Sequence, residues 1–249
     1  MASCEQLTEM EQEYIIIQNQ MKSRIDKQNR VDLSTVKSIA GVDLAYWKKC
    51  DVEYAVCCIV VIDFQSYKII EKKEYTGVIK VPYIPGCLAF REIPLFMEAH
   101  AKLESDQDLY MFDGNGYLHP RHMGLATHAG ILIGKPTIGV AKSFYKMQET
   151  EYEMPEDKPF AYTDIEIGGE VYGRALRTHA GVRPIFISIG NMIDLDTVME
   201  AVSRMVNGES HIPLPTRLAD IMTRERRKSI LENAQNGSGS FFTTVFHPY

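Results

Sequence analysis

Four acids, a lysine and a histidine stand out because their types suit the handling of a phosphate ester. Asp43 lies in IAGVDLAYW, an acid within an otherwise apolar β-type run. Removing a lone carboxylate from water costs several kcal/mol, so it calls for a partner, a proton, a metal or exposure at a strand edge. Asp113 closes the apolar run DLYMFD and faces the glycine-rich stretch GNG. If the two strands are neighbours, their acids can share a cation. Glu92, in AFREIP, reads either as a third acid of that set or as a solvated helix acid paired with Arg91 or Arg121. Asp220, in PTRLADIMTRE, is placed near a helix start, where the helix dipole favours an acid in any case.

Acids spread along a chain offer hard oxygen ligands, which suit Mg²⁺, with Mn²⁺ as a substitute. Zinc would require histidine or cysteine at short spacing, and His119 with His122 does not supply it. Lys142, in GVAKS, lies at the end of a β-type run, where it can hold a phosphate or stabilise a leaving oxyanion, or simply be solvated. His119 sits in the loop FDGNGYLHPRHMG and offers either a proton near neutrality or a hydrogen-bond post for the turn. His122 and His128 are read as structural. The segment VPYIPG holds Tyr83 and Ile84 between Pro82 and Pro85, a stiff connector or a rigid apolar tip of the kind that wedges between bases.

These residues need a scaffold. Leu7, Met10, Tyr14, Ile17, Met21 and Ile25 recur at helical spacing, so residues 5–28 form an amphipathic helix. SIAGVDLAYW, VEYAVCCIVVID and YKIIEKKEYTGVIK are three β-rich runs with short links, an antiparallel meander. CLAFREIPLFMEAHAKL is helical in pattern, with Pro94 near a first turn or a kink. DLYMFDG, the helix after it and KPTIGVAKS make a β-α-β unit. Three antiparallel strands, a helix, then β-α-β predict an α/β fold, a ribonuclease H-like mixed sheet flanked by helices. The loop of residues 112–124 then falls at a strand-to-helix junction, where open α/β sheets bind their ligands.

Further along, DIEIGGEVYGRALRT and RPIFISIG read as added strands with a turn at Gly168 and Gly169. DLDTVMEAVSRMVN is a helix capped by Asp194 or Asp196, and a last helix spans about 218–234 with Arg224, Arg226, Arg227 and Lys228. Residues from about 234 to 249 read as a tail or a short packed strand.

With 249 residues, 45% apolar and 24% charged, the composition is that of a globular protein, and one domain over residues 1–249 is the simplest division. No run approaches the roughly 18 apolar residues of a membrane span, and no secretory signal pattern opens the chain, so a cytoplasmic protein without membrane contact is expected. The five cysteines, Cys4, Cys50, Cys57, Cys58 and Cys87, form no C-x-x-C pair and suggest neither zinc nor a disulfide framework. A net charge of -6 argues against an unspecific nucleic-acid coat, while leaving room for a local basic face.

In order, GVDLAY, PYIPGCLAFRE, DGNGYLHPRHMGLATHAG, GVAKS, RTHAGVRPIFISIG and PTRLAD closely resemble the endonuclease V family over about residues 5–228. The resemblance implies a ribonuclease H-like fold and a Mg²⁺-dependent phosphodiesterase that nicks one nucleotide beyond a deaminated base, on its 3′ side. By motif, Asp43 and Asp113 match the metal-holding acids, Glu92 the third acid, and Asp220 the acid or histidine beyond PTR. His119 and Lys142 match the active-site histidine and lysine. Pro82, Tyr83, Ile84 and Pro85 match the wedge that enters the duplex. Gly86, Leu88, Gly114 and Gly139 fall in segments lining the pocket for the extruded hypoxanthine.

Two departures are visible. Where many relatives read S-P-G-H-R this chain has Ser188, Ile189, Gly190, Asn191 and Met192, and its last sixteen residues or so have no counterpart. The expected activity is repair cleavage of DNA containing deoxyinosine, by a monomer. The alternatives are inosine-containing RNA as the main substrate, or binding of damaged bases without cleavage. The intact acids favour cleavage, and the two prolines of PYIP favour DNA.

Overall fold

The computed structural model describes residues 4–147 and 150–235. Most of the expected tail, from residue 236, lies outside the described residues. One eight-stranded sheet runs through the molecule in the order β3-β2-β1-β4-β5-β8-β7-β6. β1 (Ser38–Lys49), β2 (Val52–Asp63) and β3 (Ile69–Val78) are the expected antiparallel meander. The β1–β2 link is only Cys50 and Asp51, both at positive φ (48° and 62°), the backbone of a tight hairpin whose twist matches its strands.

β4 (Leu109–Asp113) pairs parallel to β1, and β5 (Thr137–Ala141) parallel to β4. α3 (Leu125–Ile133) makes the crossover and stops at Gly134, whose φ of 63° ends the helix in a left-handed cap. These five strands with their crossover are the ribonuclease H-like unit read from the sequence. β6 (Ala161–Ile167), β7 (Glu170–Arg177) and β8 (Ile185–Asn191) extend it, with β8 antiparallel to β5.

Alternation along the strands separates two cores. Ile39, Val60, Met111, Ile138, Ile187 and the α4 (Leu195–Met205) residues Val198 and Val202 fill one side of the sheet. Ala40, Val42, Val61, Phe112 and, from α2 (Leu88–His100), Phe96 fill the other. α4 is capped by Asp194, whose carboxylate accepts from Thr197 N at 2.7 Å. Among the described residues no helix is long and apolar enough to cross a membrane.

Three expected boundaries move. α1 covers Cys4–Met21 and passes into a 3₁₀ turn at Lys22–Arg24 rather than running to residue 28. Pro94 lies inside α2, well past its first turn. The last helix, α5, spans Leu214–Gln235, so Asp220 sits in its second turn and not at its start. The dipole therefore does not account for Asp220, because that effect fades beyond the first turn.

Candidate metal centre

Parallel pairing brings the first two acids together. Val42 of β1 lies opposite Phe112 of β4, so the next residues, Asp43 and Asp113, are neighbours at the same strand ends. Both share the side-chain parity of Ile39 and Met111, which face the same core. Asp113 pairs in turn with Val140 of β5, and Lys142, two residues on, keeps that parity. Lys142 Nζ lies 2.5 Å from Asp113 Oδ2 and 3.7 Å from Asp220 Oδ1.

α5 supplies the rest. It packs on β1 at Gly41, where a Cβ atom would sit 2.0 Å from the Pro215 carbonyl oxygen, so only glycine admits the helix this closely. Asp220 then reaches over the strand ends, and the three carboxylates of Asp43, Asp113 and Asp220 each offer an oxygen within 4.8 Å of the others. One turn further, Thr223 is fully buried and its hydroxyl donates to Asp43 Oδ2 at 3.0 Å.

Electrostatics fit a cation here. Burial, then the neighbouring charge of Asp113, pushes Asp43 up to about 7. Burial pulls Lys142 down, but Asp113, Asp220 and Asp43 outweigh it and hold the ammonium above its ordinary value. Three crowded carboxylates face two partly exposed cations, Lys142 and, at 2.8 Å from Asp220 Oδ2, Arg224, which leaves them one positive charge short, and their oxygens are the ligand type a hard divalent cation takes.

Glu92 is buried but lies outside this group of three. Neither expected pairing forms: Arg91 bridges to Glu53 at 2.7 Å and stacks over the Tyr46 ring, while Arg121 is engaged elsewhere. The Glu92 carboxylate accepts instead from the Tyr46 hydroxyl. Burial pushes Glu92 up to about 8, with Asp43 and Asp113 adding to the rise.

His119 is buried, and both ring nitrogens are engaged. Nδ1 accepts from the N–H groups of Arg121 (3.2 Å) and Met123 (3.3 Å), which leaves Nε2–H to donate to the Gly86 carbonyl at 3.0 Å. Burial, then Arg121, pulls His119 down to about 3, which keeps the ring neutral with both nitrogens engaged by backbone groups.

The proline-bounded tip divides. Tyr83 is 65% exposed, whereas Ile84 is 5% exposed, so the expectation that both side chains are presented holds for Tyr83 only; Ile84 anchors the tip in the body. Gly86 (φ 75°) and Leu88, the first residue of α2, follow the tip. On the Cβ side of Gly139 lie Gly116 N at 2.4 Å and Gly114 O at 2.8 Å. Its missing side chain thus lets the 114–116 loop lie on β5, and Gly139 supports that loop from beneath.

The segment 188–192, matching the pattern at Ser188 and departing from it at Asn191, has local work. Ser188 Oγ accepts from Gly116 N at 2.9 Å, holding the same loop from β8, and Asn191 Oδ1 accepts from Asp26 N at 2.9 Å. His122 stacks on Tyr117 at 4.0 Å, in keeping with a structural role.

Three residues absent from the sequence reading belong to this neighbourhood: Tyr46, Thr223 and Gln18. Thr223 had a signal, since it follows Asp220 by three on a helix. So did Gln18, a polar residue on the stripe of Tyr14, Ile17 and Met21.

The sequence profile of endonuclease V matches residues 19–221, most of the chain. The chain belongs to the endonuclease V family. Endonuclease V of Bacillus thuringiensis subsp. konkukian is 52% identical over 221 residues, covering 89% of this chain and 94% of that protein. The crystal structure of endonuclease V from Bacillus subtilis superimposes with a TM-score of 0.87 at 49% identity, covering 90% of this chain and 94% of that one. Endonuclease V of Ciona intestinalis, solved with a 24mer DNA containing an inosine followed by a ribo-adenosine, is 28% identical with a TM-score of 0.79, covering 89% and 99%. Membership of the endonuclease V family makes this protein a nuclease, and its acidic group lies where the strand ends of the shared sheet converge.

Proposed function

We propose that this member of the endonuclease V family hydrolyses DNA at deaminated bases, deoxyinosine foremost, cutting one nucleotide beyond the lesion on its 3′ side with Mg²⁺ as cofactor and Mn²⁺ able to replace it. The observation that carries the reading is the convergence of Asp43, Asp113 and Asp220 beside Lys142. The inosine-containing nucleic acid held by the Ciona relative supports the choice of substrate.

Asp43, Asp113 and Asp220 would hold the cation, with Glu92 behind them on α2. A bound divalent cation supplies Lewis-acid neutralisation of phosphate charge. The chain's own groups do the remainder. Thr223 fixes the Asp43 carboxylate, and Lys142 adds a positive charge beside Asp113 for the oxygen on which charge builds up in the transition state. A base must leave the stack to be inspected, which costs a few kcal/mol and least for a weakly paired base. The exposed Tyr83 ring is suited to fill the gap and offset part of that cost.

The test is strand cleavage of a duplex carrying one deoxyinosine. The wild-type protein with Mg²⁺ should nick it, and Asp113→Ala should reduce nicking to background; a variant as active as wild type would sink the reading. Inosine-containing RNA is the second reading, favoured by the ribo-adenosine in the Ciona complex. Matched DNA and RNA oligonucleotides in the same assay separate the two.

A further inference from the structure

The arginines of α5 do not all serve the same end. Arg226 is tied to the sheet through Glu74, with Nε 2.7 Å from the carboxylate, and Arg227 Nη1 donates to the Tyr46 carbonyl at 3.3 Å. Arg224 meets the acid group instead. It follows Asp220 by one helical turn, its Nη2 lies 2.8 Å from Asp220 Oδ2, and its side chain is 66% exposed. A guanidinium carries five N–H donors, and those on Nε and Nη1 of Arg224 meet no acceptor among the described residues.

Asp220 is thus shared between two cations, one at each oxygen. Oδ1 is 3.7 Å from Lys142 Nζ, and Oδ2 faces Arg224. Lys142 is committed to Asp113 at 2.5 Å, inside the acid group, whereas Arg224 stands at its solvent margin with donors to spare. An exposed i,i+4 pair adds little to the stability of a helix, so stability does not account for an arginine placed against this particular carboxylate. A nucleic-acid strand laid across the acids meets repulsion from three carboxylates, and the phosphate next to the scissile one needs a counter-charge that Lys142 does not supply. The planar fork of arginine suits phosphate oxygens, and a guanidinium already held by Asp220 loses less freedom on binding them.

We propose that Arg224 binds a phosphate of the cleaved strand adjacent to the scissile one, with Asp220 holding its guanidinium in position. Asp220 then has two tasks: one oxygen serves the cation site shared with Asp43 and Asp113, and the other steadies the arginine. The inference rests on the proposed function, because it takes a strand to lie on the acids.

The full chain is compared with Arg224→Gln, Arg224→Lys and Arg204→Gln. The last removes the same charge from an equivalent i,i+4 pair with Glu200 on α4, where Arg204 lies over Phe64, at the end of β1 remote from Asp43. Binding to a duplex carrying one deoxyinosine is read by fluorescence anisotropy in constant Ca²⁺ between about 50 and 200 mM salt, alongside Mn²⁺ binding by calorimetry. One phosphate contact contributes close to one unit to the slope of log affinity against log salt, so the wild type should lose about threefold more affinity over this range than Arg224→Gln. Arg224→Lys should restore the slope, Arg204→Gln should keep that of the wild type, and Mn²⁺ should bind Arg224→Gln no more weakly than the wild type, since no carboxylate has been removed. An unchanged slope in Arg224→Gln overturns the proposal, as does a slope that lysine fails to restore. So does an equal fall in Arg204→Gln, which marks bulk charge, or a loss of Mn²⁺ binding in Arg224→Gln, which reduces Arg224 to a support for Asp220. A wild-type protein that leaves the deoxyinosine duplex uncut in Mg²⁺ overturns the proposed function instead, whatever the slopes.

Discussion

Thr223 donates its hydroxyl to Asp43 Oδ2 at 3.0 Å, joining α5 to β1 across 180 positions of sequence. The Asp220 carbonyl, 2.9 Å from the same hydroxyl, competes as acceptor for its one proton, so Thr223 sits between an acid on the sheet and the helix turn that carries another. Hydrogen bonds to charged groups contribute about 1.5–3 kcal/mol. Thr223→Val keeps the shape and removes this tie; cleavage of a deoxyinosine duplex at saturating Mg²⁺ should slow by about tenfold or more. An unchanged rate constant would show that Asp43 needs no help to stay in place.

Lys142 occupies the carboxylate group that a cation would share. Lys142→Met should separate two quantities that usually move together. Mn²⁺ binding measured by calorimetry should tighten, because a competing positive charge is gone. Single-turnover cleavage should fall by about a hundredfold, the scale of losing one charged group aimed at the transition state.

Gly41 sets the approach of α5. A methyl group there would meet the Pro215 carbonyl at 2.0 Å, and backbone cannot yield as a side-chain tip can. Gly41→Ala should cost at least about 2 kcal/mol in urea unfolding. Activity should fall further than stability, since Asp220 and Thr223 both ride on the displaced helix.

Tyr46 is the hydroxyl partner of the buried Glu92 carboxylate. Tyr46→Phe leaves that acid without this donor and should destabilise the fold by about 1–3 kcal/mol. If Glu92 serves the metal centre, the Mg²⁺ concentration giving half-maximal cleavage should also shift; a change in stability alone would assign Glu92 to the scaffold.

His119 gives a pH prediction. Its folded value, about 3, lies below the ordinary 6.5, so the unfolded chain binds its proton first as pH falls. The stabilisation is complete above about pH 6.5 and is lost on the way down towards pH 3. Within that window each unit of pH lowers stability by up to about 1.4 kcal/mol from this residue. His128, pulled down to about 4 by burial, works in the same direction. Chemical denaturation between pH 7 and 4.5 should show a shallower slope in His119→Asn than in the wild type.

Much of the sheet was legible because strand alternation and helical spacing are local. The meander, the β-α-β unit and the added strands follow from runs of about ten residues, and the acids Asp43 and Asp113 betray themselves by closing or interrupting apolar strands. The start of α5 was not legible, because its first turn, LPTR, contains a proline and has no clear apolar period.

The sequence by itself determined which elements form, that acids sit in strands where water is excluded, and to which family the motifs point. Only the tertiary structure decided which of those side chains meet. Asp43, Asp113 and Lys142 share a face because β1, β4 and β5 run parallel in a fixed register. Asp220 and Thr223 join them through a close approach at Gly41, Ile84 turns inward while Tyr83 does not, and Gln18 closes on Gly86 from 68 residues away. Register and helix docking are products of packing between distant segments, and local spacing carries no record of the partner a side chain will find.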